Sequence, residues 1–122
     1  MRKLVLQLKQ WFQEPDMSVE ARTPAQQLEL DLACENLTLF YFPSCPFCRK
    51  VLREIERLQL RVECRNIQQD LSAREDLLVG GGRTTVPCLR IREGGHIHWL
   101  YESSDIVAML RSWTHAVLTE TG

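Results

Sequence analysis

Residues 37–48 read LTLFYFPSCPFC, an apolar run followed by two cysteines that are separated by two residues. The run predicts a buried strand, and the periodic apolar residues after Cys48 predict a helix, so the cysteine pair falls where a strand turns into a helix. A thiol at a helix N-terminus faces unpaired backbone N–H groups and the positive end of the helix dipole, and both favour the thiolate. We therefore predict that Cys45 is the nucleophile and that Cys48, one turn further along, is the resolving thiol.

The composition is that of an ordinary globular domain, with 122 residues of which 44% are hydrophobic. Fifteen basic and sixteen acidic side chains give a net charge of −1, so nothing indicates nucleic acid as a partner. Five cysteines without the regular framework of a disulfide scaffold favour a reducing compartment. The start of the chain lacks the uninterrupted apolar region and the cleavage site of a signal peptide. We expect one domain in the cytoplasm.

Two helices are predicted before the strand. Residues 4–12 place apolar side chains on one stripe and polar ones opposite, as in an amphipathic helix. The segment 1–13 is too short to span a membrane, and its alternatives are peripheral contact with a membrane surface or packing against its own domain or another copy of the chain. Thr23-Pro24-Ala25-Gln26 has the N-cap, the N1 proline and the N3 glutamine of a second helix that ends near Cys34.

The pattern after residue 36 predicts the order β-α-β-α-β-β-α. Its elements after the first strand are a helix that ends near Gln59, a strand at 60–67, a short helix from a capping box at 72–75 to glycines at 80–82, a hairpin of strands at 88–92 and 96–101, and a last helix capped at 103–105. The first strand, helix and strand form a right-handed unit with parallel strands. We predict an N-terminal extension at 1–35, a domain at 36–114 and a tail at 115–122.

A second motif, Thr85-Val86-Pro87, opens a strand after a glycine-rich loop. Proline is common at the start of a strand, but this is also a site for a cis peptide bond. A cis proline turns the backbone N–H and C=O of Val86 outward, where an extended peptide or a peptide-like thiol can pair with them. With two cysteines upstream, we interpret the motif as part of a binding site for a thiol.

A third motif, Glu102-Ser103-Ser104-Asp105, precedes the last helix. Helix capping and a favourable acidic first turn are enough to explain it in structural terms. In functional terms, the N–H groups and hydroxyls of a helix start bind a carboxylate, while Asp105 or Glu102 pairs with an ammonium group. A substrate with an α-amino acid end carries both charges.

No metal site is predicted. The CxxC spacing also supplies half of a zinc site, but zinc would need two further ligands, typically a second close pair. The other cysteines, Cys34, Cys64 and Cys88, are isolated in the sequence. We expect Cys64 to be a buried small hydrophobe and Cys88 to point away from the active site.

The three motifs, over residues 37 to about 112, resemble the glutaredoxin family. The resemblance implies a thioredoxin-like α/β fold with a four-stranded mixed sheet. It also implies a thiol-disulfide oxidoreductase that uses glutathione as cosubstrate and acts on disulfide-containing or glutathionylated substrates. In that family the first cysteine forms a mixed disulfide with glutathione, the cis proline segment pairs with the cysteinyl backbone and the last helix start holds the γ-glutamyl end. The glutathione-binding residues that it implies are Phe47, Thr85, Val86, Pro87, Glu102, Ser103, Ser104 and Asp105.

The chain departs from typical glutaredoxins in two places. Phe42 stands where a lysine is usual, and Glu102-Ser103 stands in a segment that is usually Gly-Gly-Cys-Asp-Asp. The Glu-Ser pair resembles the N-terminal domain of glutathione transferases, but from the few residues after the last helix we do not expect the helical second domain of that family. The alternatives are a non-catalytic module that binds glutathione or a peptide, and a transferase-like protein. Arg83 is either a ligand for the glycyl carboxylate or a solvated loop residue.

Overall fold

A mixed four-stranded sheet with helices on both faces forms the part of the protein that this computed structural model describes, residues 22–121. The helices are α1 (Pro24–Ala33), α2 (Pro46–Arg57), α3 (Leu71–Asp76) and α4 (Ser103–Thr121), and the strands are β1 (Leu37–Tyr41), β2 (Glu63–Asn66), β3 (Cys88–Glu93) and β4 (His96–Leu100). The strand order is β2-β1-β3-β4, where β1 and β2 are parallel and the other pairs are antiparallel. The predicted thioredoxin-like fold and its β-α-β-α-β-β-α order are confirmed, with α1 in front of them.

The alternation of side chains along β1 and β3 divides the core into two clusters. Leu39 and Leu89, which are paired in register, lie on the sheet face that α1, α2 and α4 cover. Phe40 and Cys88, also paired, lie on the opposite face, where Leu77 and its neighbours cover them. The larger cluster thus fixes the helix that follows the cysteine pair, and the smaller one fixes the start of β3.

Helix α1 begins as the sequence predicts. The Gln26 N–H donates to Thr23 Oγ1 at 3.1 Å, and the Thr23 N–H donates to Gln26 Oε1 at 2.9 Å. Leu30 on this helix is fully buried in the larger cluster. Helix α1 therefore packs into the core, although the boundary predicted from the sequence placed it in the extension. The amphipathic helix predicted at 4–12 lies outside the described residues.

Three details differ from the sequence-based expectations. The N-cap of α3 is Asp70, whose carboxylate accepts from the N–H groups of Ser72 and Ala73 at 3.0 and 3.2 Å, so the predicted cap at Ser72 was wrong. Strand β2 is shorter than the predicted span 60–67. Helix α4 continues to Thr121, through most of the predicted tail, because side chains of its last turns pack on the larger cluster.

Candidate active site

The three sequence motifs meet at one edge of the sheet. Strands β1 and β2 are parallel and end side by side. Strand β3 is antiparallel to β1, so its first residue, Cys88, pairs with Phe40 near the end of β1. Strand β4 returns beside it and ends with Leu100 opposite Leu89. The cysteine pair, the proline motif and the motif before α4 therefore all adjoin the sheet at this edge.

Cys45 is the N-cap of α2, as the sequence predicts. Its backbone is extended, with φ −82° and ψ 119°, and Pro46 takes the first helical position. The Cys48 N–H donates to Cys45 Sγ at 3.4 Å, and the Arg49 N–H donates to the Cys45 carbonyl at 3.0 Å. A helix N–H directed at a sulfur stabilises negative charge on it, and the positive end of the helix dipole acts in the same sense.

The two sulfurs differ in accessibility. Cys45 is 9% exposed, whereas Cys48 is completely buried. Burial, only partly offset by a hydrogen bond with the Phe42 backbone, raises the pKa of the Cys48 thiol to about 12, and the neighbouring Cys45 adds to the increase. Cys48 is therefore a neutral thiol at ordinary pH, which leaves Cys45 as the thiol of the pair that reacts first.

We expect an alkylating reagent to modify Cys45 much faster than Cys48 in the reduced, folded protein. Between about pH 7 and 9 the Cys48 thiol stays protonated, because its pKa is about 12. Iodoacetamide labelling followed by peptide mapping measures both rates, and the exposed Cys64 serves as an internal reference. Equal rates for Cys45 and Cys48 would contradict this order of reactivity.

The peptide bond between Val86 and Pro87 is cis, as predicted for this motif. Pro87 is buried and directly precedes the first residue of β3. Thr85 is exposed and Val86 is half-buried at the rim of the smaller cluster. An extended ligand at this edge therefore has access to the segment that leads into the proline.

The motif before α4 forms the N-terminus of that helix. The Ile106 N–H donates to the Glu102 carbonyl at 2.9 Å, so Glu102 holds the cap position, one residue earlier than predicted. Glu102, Ser104 and Asp105 are exposed, and Ser103 is half-buried. Free N–H groups, hydroxyls and two carboxylates are thus accessible together, as binding of an α-amino acid end requires.

The remaining residues of interest are divided between surface and core. Phe47, between the two cysteines, is 63% exposed. Cys88 is buried in the smaller cluster beside Phe40. Cys64 is exposed, so its predicted burial was wrong; β2 is an edge strand, and the thiol contacts the Val62 carbonyl at 3.4 Å.

One contact near this edge joins Arg83 to Tyr101, a residue to which the sequence analysis assigned no role. The Arg83 guanidinium carbon lies 4.1 Å from the centroid of the Tyr101 ring, and the Tyr101 hydroxyl donates to the Arg83 carbonyl at 3.3 Å. Arg83 is exposed, so its side chain is a surface arginine that rests on an aromatic ring. The only sequence signal for this contact is an arginine shortly before one motif and a tyrosine directly before another.

Two kinds of feature are absent from residues 22–121. No group of three or more histidine, cysteine, aspartate and glutamate side chains has an arrangement that could hold a metal ion. None of the described helices combines the length and the apolar character that crossing a membrane requires.

Comparison with known proteins points to one family. The glutaredoxin family model matches residues 37–97, which is half of the chain. Wheat glutaredoxin is 20% identical, with a TM-score of 0.51 over 84% of this chain and 97% of the wheat chain. A buckwheat glutaredoxin–glutathione complex is 23% identical, with a TM-score of 0.52 over 81% of this chain and 96% of the buckwheat chain. The search of curated proteins gives no match. At these identities the solved structures are evidence for the fold.

Proposed function

The chain belongs to the glutaredoxin family, and from that premise we propose that it is a glutathione-dependent thiol-disulfide oxidoreductase. It reduces protein disulfides or glutathione mixed disulfides through Cys45, with Cys48 as the resolving thiol. The observation that carries the proposal is the place of Cys45 Sγ, which caps α2, accepts the Cys48 N–H at 3.4 Å and lies at the sheet edge that also carries the cis proline.

The first route uses Cys45 alone. Its thiolate attacks the glutathionyl sulfur of a mixed disulfide, the substrate thiolate leaves and takes up a proton, and glutathione stays bound to Cys45 through a new S–S bond. The thiolate of a second glutathione then attacks that glutathionyl sulfur. Oxidised glutathione leaves, and Cys45 is again a thiolate. The S–S bond between substrate and glutathionyl group is thus exchanged for the S–S bond of oxidised glutathione, and the one free glutathione consumed is the reductant of the substrate sulfur.

The second route uses both cysteines. Cys45 attacks a protein disulfide and becomes joined to one substrate sulfur, while the other sulfur leaves as a thiolate. Cys48 loses its proton and attacks Cys45 Sγ, so the substrate departs and a Cys45–Cys48 disulfide forms. Two glutathione molecules then reduce the disulfide.

We assign the glutathione subsite to the sheet edge that the cysteine pair occupies. The Val86 backbone pairs with the cysteinyl part of glutathione, and the start of α4 takes the γ-glutamyl end, with Glu102 or Asp105 as partner of its ammonium group. The proposed contact residues are Phe47, Thr85, Val86, Pro87, Glu102, Ser103, Ser104 and Asp105. Their accessibility supports the assignment, since all but Pro87 are exposed or half-buried. The buckwheat glutaredoxin was solved as a glutathione complex.

The test is an assay in which the full chain, with glutathione present, reduces a glutathionylated peptide. We expect sustained formation of oxidised glutathione, and the same rate in the control variant Cys64→Ser, whose thiol lies outside the site. Binding of glutathione by calorimetry without any turnover would instead establish the non-catalytic module. We propose the cytoplasm as its compartment, since five cysteines without the regular framework of a disulfide scaffold favour a reducing environment.

A further inference from the structure

Arg83 and Tyr101 connect two of the segments that form the proposed glutathione subsite. Arg83 lies in the loop that leads to the cis proline, two residues before Thr85, and Tyr101 directly precedes Glu102. The guanidinium of Arg83 stacks on the tyrosine ring at 4.1 Å, while the tyrosine hydroxyl donates to the Arg83 backbone carbonyl at 3.3 Å. One interaction involves the arginine side chain and the other its backbone, so the tyrosine fixes the position of both parts of Arg83. We call this pair the Arg83–Tyr101 clasp.

The Tyr101 side chain is fixed by its contacts with a glycine and with the core. Gly81 ends the π-helical turn Leu77–Gly81, and a Cβ at that position would collide with the Tyr101 hydroxyl oxygen. Tyr101 also packs on the smaller core cluster, which includes the buried Cys88. The ring is therefore anchored to the sheet and to the turn before the loop.

The arginine side of the clasp has no comparable anchor in the rest of the described chain. Among residues 22–121 the Arg83 guanidinium forms no ion pair with a carboxylate. Arg83 is exposed, as are Gly82 before it and Thr85 after it. Gly82 has φ of 91°, which ends the preceding helical turn and leaves the loop without a regular ladder of hydrogen bonds. The Gly82 N–H donates to the Leu78 carbonyl at 2.9 Å, and after that residue the contact with Tyr101 is what holds Arg83.

We infer that Tyr101 is a positioning residue whose clasp with Arg83 fixes the loop 82–87 against the start of α4, and that this spacing sets the affinity for glutathione-containing substrates. The inference rests on the proposed function. A glutathionyl group would contact both segments at once, with its cysteinyl backbone on Val86 and its amino acid end at the start of α4. If the two segments shift apart, substrate binding weakens, because the glutathionyl group can then contact only one of them. The rate of attack changes little, because Cys45 caps α2 and Cys48 lies in its first turn, and neither residue belongs to the clasp.

The test measures kcat and KM of the full chain with a glutathionylated peptide in three variants. For Tyr101→Leu, which removes the ring and the hydroxyl, we expect KM to rise about tenfold while kcat stays within about twofold of wild type. For Tyr101→Phe, which keeps the stacked ring and loses only the hydrogen bond, we expect a rise of about threefold. Arg83→Ala, which removes only the stacking and keeps the backbone carbonyl that accepts the tyrosine hydroxyl, should also raise KM about threefold. Arg92→Ala, an exposed arginine of β3, serves as its matched control with unchanged kinetics.

A double variant separates positioning from direct contact. If Arg83 acts through Tyr101, the double variant Arg83→Ala/Tyr101→Leu raises KM no further than Tyr101→Leu alone. Multiplied effects would show that Arg83 binds the substrate independently, and an unchanged KM in Tyr101→Leu would show that the clasp has no role; either result overturns the inference. Thermal melting checks that each variant folds, and Tyr101→Phe remains available if Tyr101→Leu does not. Failure of the proposed function is distinct, because then the wild type itself shows no turnover.

Discussion

The Cys45→Ser variant is expected to lose glutathione-dependent turnover by at least about a thousandfold, the order of loss that follows removal of a nucleophile. A serine hydroxyl stays protonated at neutral pH and cannot form a disulfide, so neither route can begin. The site otherwise remains intact, because serine is also a good N-cap residue and keeps the start of α2. The measurement is the reduction of a glutathionylated peptide at fixed glutathione concentration.

The comparison with Cys48→Ser distinguishes loss of the nucleophile from loss of the resolving thiol. That variant should keep the route in which glutathione resolves the Cys45 adduct, so it retains turnover of the glutathionylated peptide and loses much of its activity on a protein disulfide. The buried position of Cys48 makes a fold control necessary, and far-UV circular dichroism supplies it. Turnover that survives in Cys45→Ser would contradict the assignment of the nucleophile.

The second large effect concerns stability. Glu54 on α2 has a side chain that is only 8% exposed, and Arg111 on α4 donates to its two oxygens from Nε at 2.9 Å and from Nη2 at 3.3 Å. Arg57 pairs with the same carboxylate. The variant Arg111→Met keeps an apolar stem but leaves this buried charge with one partner fewer. We expect a loss of about 2 kcal/mol in the free energy of unfolding at pH 7, below the ~3–5 kcal/mol of a fully buried pair, because Arg57 remains and Arg111 is 43% exposed.

The same ion pair predicts a dependence on pH. Burial alone would raise the pKa of Glu54, but hydrogen bonds from Arg111 and Arg57 outweigh it and hold the pKa below its usual range. A carboxyl group with a lowered folded-state pKa stabilises the protein above its ordinary pKa of about 4.3, and this contribution is lost as pH falls through the lowered value. The difference between wild type and Arg111→Met should therefore be full at pH 7 and smaller at about pH 3, below the ordinary carboxyl pKa.

Urea unfolding at both pH values measures this difference. The matched control is Arg53→Met on the exposed side of α2, which should cost little at either pH. A loss in Arg111→Met that is equally large in acid would contradict the proposed origin of the effect.

Much of the fold could be predicted because the apolar runs and the helix signals agree with each other. The run at 37–42 became β1, and the Thr23 capping box started α1 as expected. The cap of α3 was misplaced because Asp70 and Ser72 are both good N-cap residues, and only the folded backbone shows which side chain reaches the free N–H groups. Cys64 was misjudged because a local pattern does not tell which strand lies at the edge of a sheet.

The sequence motifs of the candidate site could be predicted, but the contacts between the segments that carry them could not. The cysteine pair, the proline motif and the helix start are each visible locally, and the strand directions bring them to one edge. The contact between Arg83 and Tyr101 joins residues that are 18 positions apart and depends on the path of an irregular loop. No periodicity or capping signal in the sequence encodes such a path.

The measurement that tests the central claim most directly is the capture of the glutathione adduct on the Cys48→Ser protein. The variant is incubated with oxidised glutathione, and intact-mass spectrometry with peptide mapping locates the adduct. We predict one glutathionyl group, on Cys45, formed faster than any adduct on the exposed Cys64. An adduct on Cys64 with none on Cys45, or no adduct at all, would contradict the claim that Cys45 is the thiol that accepts glutathione.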